Sequence, residues 1–212
     1  MTIQTCGRSR RARCVIGIAF VLAGIVQAGC EDGGGSFAVS LQPFYTKMDL
    51  ETDSRLGGAW KDKEGDVSFT FEPGAEKEYT LVVTEREGEQ VTSGEFEAHL
   101  FRLGGSWFLD FFPRSIREGD DFYRIHFLRG HSIARVEIGQ DSMQLAFFSA
   151  GWLSKKLKEK SIDTPHEKAD ESLLLTGTTE EVQDLVFLYA NDEGAFSDPL
   201  SLDRQPVEEK EQ

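Results

Sequence analysis

Phe96-Glu97-Ala98-His99-Leu100-Phe101-Arg102-Leu103-Gly104-Gly105-Ser106-Trp107-Phe108-Leu109-Asp110-Phe111 reads as two strands around a two-residue turn. Gly104-Gly105 is the turn, because glycine tolerates the positive φ angles that tight hairpins need. With that turn, Ala98 falls opposite Phe111, Leu100 opposite Leu109 and Arg102 opposite Trp107. The apolar residues of both strands then share one face, and a slip of one position would scatter them.

The same pattern continues on both sides. Val67, Phe69 and Phe71 alternate with Ser68 and Thr70, and Pro73-Gly74 marks a turn. Tyr79, Leu81 and Val83 repeat the alternation, and Phe96 begins the next strand. Further on, a turn at Gln140-Asp141 sets Ile138, Val136 and Ala134 against Met143, Leu145 and Phe147. A turn at Arg129-Gly130 would pair Tyr123, Ile125 and Phe127 with Val136, Ala134 and Ser132. Period-2 alternation broken by regular turns predicts an antiparallel meander. About eight strands between Gly58 and Ala150 would leave exposed edges unless the sheet closes into a barrel. Two helices follow, over Trp152–Lys160 and from a capping box at Thr178-Thr179-Glu180-Glu181 to a stop near Asn191, with Leu173-Leu174-Leu175 as a short strand between them. From Asp198 the chain is charged and is expected to be disordered.

The 212 residues suit one domain, and 39% apolar content with 16 Phe supplies a core. Residues 1–29 hold four Arg and no acid, so the rest sets 19 basic side chains against 37 acidic, a balance of −18. Such a domain is unsuited to nucleic acid, which needs Lys and Arg in excess. It has no electrostatic reason to lie flat on anionic lipid.

The N-terminus is ordered as an export signal: a basic segment to Cys14, the apolar run Val15–Val26, and Gln27-Ala28-Gly29-Cys30. The run is shorter than the roughly 20 residues of a spanning helix. Ser9-Arg10-Arg11 reads as part of the basic segment, since Arg13 and Cys14 stand where a twin-arginine signal would be apolar. Cys30 is the only cysteine after the signal. Ala28-Gly29-Cys30 resembles the lipobox of bacterial lipoproteins, with Gln27 where that family usually carries an apolar residue. The resemblance implies cleavage before Cys30, its lipidation, and an envelope protein on the inner or outer membrane. Glu31-Asp32-Gly33-Gly34-Gly35-Ser36 then begins a flexible spacer. The expected organisation is a signal at 1–29, anchor and spacer at 30–44, one β-barrel domain at 45–197 and an acidic tail at 198–212.

Gly58-Ala59-Trp60 resembles the G-x-W of lipocalins and related calycins, in which the Trp plugs one barrel end. The resemblance implies a lipocalin-like up-and-down barrel with C-terminal helices, Trp60 as its plug, and a small amphipathic ligand. The arginine that packs on that Trp in the family cannot be placed in this sequence.

Chemistry is sparse. Gly130-His131-Ser132-Ile133-Ala134 lacks the last glycine and the helix of a nucleophile elbow. His99 falls opposite Asp110, which suits a cross-strand polar pair better than a catalytic base without a nucleophile. The four histidines lack metal-ligand spacing, and Gly119-Asp120-Asp121 matches no calcium loop, so neither metal nor cofactor is expected. Between Arg114 and Arg135, five Arg and two His stand against three acids. In the 129–130 register, Arg124, His126, His131 and Arg135 share the outer face, with Arg124 opposite Arg135. That cluster would suit a carboxylate or phosphate head group. The leading expectation is therefore a membrane-anchored, non-catalytic barrel binding a small amphipathic or anionic ligand. The alternative is an envelope-assembly or protein-interaction lipoprotein without a pocket, and a hydrolase-like enzyme comes third.

Overall fold

The computed structural model describes residues 37–114, 128–169 and 172–206. Eleven strands and two helices succeed one another: β1 (Val39–Ser40), β2 (Gly58–Lys61), β3 (Val67–Pro73), β4 (Glu78–Glu87), β5 (Gln90–Leu103), β6 (Ser106–Pro113), β7 (His131–Ile138), β8 (Ser142–Phe147), α1 (Ala150–Lys158), β9 (His166–Ala169), β10 (Ser172–Leu175), α2 (Thr179–Tyr189) and β11 (Leu200–Arg204).

β2 to β8 pair in sequence order, β11 lies between β8 and β2, and β6 pairs with β7. The result is a closed, antiparallel, eight-stranded, lipocalin-like up-and-down barrel. The Gly104-Gly105 and Gln140-Asp141 registers are those expected: Leu100 faces Leu109, His99 faces Asp110, and Val136 faces Leu145. Alternate residues of every strand meet inside, where Trp60, Phe69, Phe71, Leu81, Phe111, Leu145, Phe147 and Leu202 are buried.

The described partners of β7 differ from the expected pairing with Tyr123–Phe127. β7 lies between β6 and β8, with Leu109 opposite Ala134 and Phe111 opposite Ser132. Either partner turns Ala134 and Val136 inward, so the hydrophobic pattern alone does not choose between them. Arg135 consequently faces Phe108 and Ala146 rather than Arg124. Tyr123–Phe127, including Arg124 and His126, and the Gly119-Asp120-Asp121 segment lie outside the described residues. Gly130 is not a hairpin turn. A Cβ there would fall 2.2 Å from Val39 Cγ1, so glycine lets β1 close against β7.

The eighth barrel strand is β11, in the segment expected to be a disordered tail. Leu200 and Leu202 pair with Leu145 and Met143. The domain also begins earlier than residue 45, because Phe37 bridges to Ser149, β1 pairs with β7, and Phe44 is fully buried.

A second apolar core lies outside the barrel wall. Phe101, Phe108, Ile133, Ala146 and Phe148 face outward there and are covered by Phe44, Leu153, Val182, Leu185 and Val186. α2 starts at the expected capping box, with Thr178 and Glu181 bonded reciprocally. α1 and α2 have nine and eleven residues, and no described helix is long and apolar enough to cross a membrane.

Candidate functional site

Strand direction alternates, so the barrel has two distinct ends. One carries the 73–78, 103–106 and 138–142 turns and the junction of β11 with β2. The other carries the 61–67 and 87–90 turns and the ends of β6 and β8.

The first end is sealed. Trp60 is fully buried and its Nε1–H donates to the Leu56 carbonyl at 2.9 Å. Arg204 lies 4.1 Å over the indole ring. Its guanidinium donates to the carbonyls of Gly57 (2.9 Å), Gln140 (2.8 Å) and Arg55. A charged side chain thus ties three loop carbonyls to one aromatic plug. An arginine does pack on Trp60, in a stretch where the sequence offered no sign of it. The signal was for its strand alone: the alternation Leu200-Ser201-Leu202-Asp203-Arg204, hidden in a charged tail.

Above the plug the lumen is filled by side chains. The space that remains, ringed by Phe69, Leu81, Val83, Phe96, Phe111 and Phe147, has no room for a water molecule. Drug-sized ligands occupy roughly 300–1,000 Å³. The apolar pocket implied by the calycin resemblance is not open among the described residues.

One inward-facing carboxylate of β4 stands near the second end. Tyr79, Leu81 and Val83 point inward along β4, and Glu85 continues that face, level with Val67 and Thr92. Its Oε1 is buried and has no hydrogen-bond partner among the described residues. Burial pushes its pKa up to about 7 from 4.5. A raised folded-state pKa gives stability that is complete below the unfolded value and lost as pH rises through about 7. Glu85→Gln should therefore gain about 1 kcal/mol over wild type at pH 8, a figure reduced for the group's partial exposure, and nothing at pH 4. Urea unfolding at the two pH values measures this.

The other polar cluster is on the outer wall. Asp110 is fully buried, and its Oδ2 accepts the Phe44 N–H at 3.1 Å. Its Oδ1 accepts from His131 Nδ1 at 2.7 Å. His131 stacks on Phe112, which lies beneath the guanidinium of Arg129. His99 bonds to the Tyr45 hydroxyl at 3.1 Å and stacks on its ring. Burial lowers the pKa of His99, and burial beside Asp110 pushes that of Tyr45 up to about 12, so both are neutral near pH 7. The expected His99–Asp110 juxtaposition is present, but Asp110 bonds His131 instead. Ser40 stands opposite His131 in the β1–β7 register. It is fully buried and its Oγ accepts the Gln42 N–H, so it is no activated nucleophile. The cluster clamps the segment before β2 onto the wall.

Of the expected anion-binding residues, Arg124 and His126 lie outside the described residues, and His131 and Arg135 each have a partner within the fold. His131 is held by Asp110. Arg135 donates to the Ala190 carbonyl at the end of α2 (2.7 Å) and lies over Phe196. Arg114 pairs with Glu78 and Glu95. No described group of three or more His, Cys, Asp or Glu could hold a metal ion. No family model matches the chain, and no curated protein or solved structure matches it significantly.

Proposed function

We propose that this chain is an exported β-barrel module, held to a bacterial membrane through a lipid on Cys30, that acts through its surface on another envelope protein. The single observation that carries the choice is the filled lumen: above the sealed end, the described side chains leave no space in the barrel that admits even a water molecule. Two further features support a surface role. Apolar side chains remain exposed, with Met48 at 92%, Leu188 at 70% and Phe187 at 54%, the kind of residue that marks contact surfaces when clustered. Two of the residues expected to hold an anionic ligand, Arg135 and His131, are bonded within the fold.

Native mass spectrometry of residues 31–212 after incubation with envelope lipid extract tests the surface reading. The expected spectrum is a single unliganded mass. A reproducible adduct lost on denaturation would restore the carrier reading, with a small amphipathic ligand. The anchor is tested separately by the intact mass of protein extracted from membranes. Cleavage before Cys30 with added acyl mass is expected, and both should vanish in Cys30→Ser.

A further inference from the structure

We infer that the barrel mouth opposite Trp60 is a docking point for a basic side chain, Lys or Arg, of a protein partner, with Glu85 as its counter-charge. This rests on the reading that the barrel works from its surface and names the chemistry of what it meets. A buried carboxyl oxygen without a hydrogen bond is costly and calls for a donor. Glu85 Oε1 is such an atom, on the inward face of β4. Next to it along that face lies Val83, which lines the apolar gap with Phe69, Phe96 and Phe147. Lys and Arg combine an aliphatic stem with a cationic tip, so one such side chain can lie across the apolar rim, outside the filled lumen, and still reach a carboxylate.

The two turns nearest Glu85 carry an acidic balance that suits the same partner. In the 61–67 turn, Asp62, Glu64 and Asp66 outnumber Lys61 and Lys63. Around the 87–90 turn, Glu87 and Glu89 outnumber Arg86. With a formal charge of −14, the chain repels a second copy of itself and an anionic membrane, and attracts a basic protein. Glu95 and Glu78, on the outward face, are paired with Arg114 and do not compete for this cation.

The test uses side-chain mimics as probes on residues 31–212, which contain all eleven strands, both helices and both cores. n-Butylammonium and n-propylguanidinium stand for Lys and Arg, with n-butanol and butyrate as neutral and anionic controls. Amide chemical shifts are followed by NMR. At pH 8 the cations should bind about tenfold more tightly than butanol, the effect of one charge-assisted hydrogen bond. The shifts should centre on Val67, Val83, Glu85 and Thr92, and butyrate should give none. The preference should disappear in Glu85→Gln, and in wild type at pH 5, which needs no variant. Equal binding of butanol, a preference that survives Glu85→Gln, or no binding by either cation would overturn the inference while leaving the surface reading intact. Shifts reaching Trp60 and Leu100 with every probe would instead overturn the surface reading, because the lumen would then admit ligands without regard to charge.

Discussion

Trp60→Ala should destabilise the protein by about 4 kcal/mol, within the range for emptying a fully buried large aromatic site. The indole is wholly shielded, its Nε1–H satisfies the Leu56 carbonyl, and its ring carries the Arg204 guanidinium. Removing it leaves a cavity at the sealed end and strips the platform from an arginine that holds three loop carbonyls. Trp60→Phe keeps much of the packing and loses the hydrogen bond, so about 2 kcal/mol is expected. Arg204→Ala should cost about 2 kcal/mol, since its hydrogen bonds are charge-assisted but partly exposed. Because the two side chains touch, the double variant should cost less than the sum of the singles. Urea unfolding measures all four proteins. Strict additivity would mean that Arg204 and Trp60 act independently, contrary to the geometry.

The second large effect is at Asp110. Asp110→Ala should cost about 3 kcal/mol, because it leaves two donors, the Phe44 N–H and His131 Nδ1–H, without acceptors. Asp110→Asn keeps one acceptor and should cost about half as much. Faster amide exchange should follow at Phe44 and Ser40, since the clamp holds the segment before β2 to the wall. A loss of stability without faster exchange there would remove the clamp role and leave only a packing one. Neither variant is expected to change the lumen, whose lining comes from the opposite face of β6.

The sequence made the barrel wall legible where turn chemistry and alternation agreed. Gly104-Gly105 set the register of β5 on β6, and Gln140-Asp141 that of β7 on β8. It failed where alternation leaves the partner open. Ala134 and Val136 turn inward against either Tyr123–Phe127 or β6, and only tertiary contact selects β6. β11 was missed for a different reason. Five residues between a charged segment and a Pro-containing tail carry little local propensity, and what makes them a strand is the vacant edges of β2 and β8. The Trp60 plug was readable from G-x-W, whereas its arginine partner, 144 positions downstream, was not. Glu85 was invisible as a site because a Glu near a strand end usually reads as solvated. Its inward direction follows only from the unbroken register of β4 with β3 and β5.

Closure by β11 supports everything said of the lumen, because an open edge between β8 and β2 would let the interior gap. Amide hydrogen exchange, with cross-strand NOEs between Asp203 and Lys61 and between Leu202 and Met143, tests it directly. The account predicts protected amides in β11 and both sets of NOEs. Amides at 200–204 exchanging at random-coil rates, with neither NOE, would contradict it.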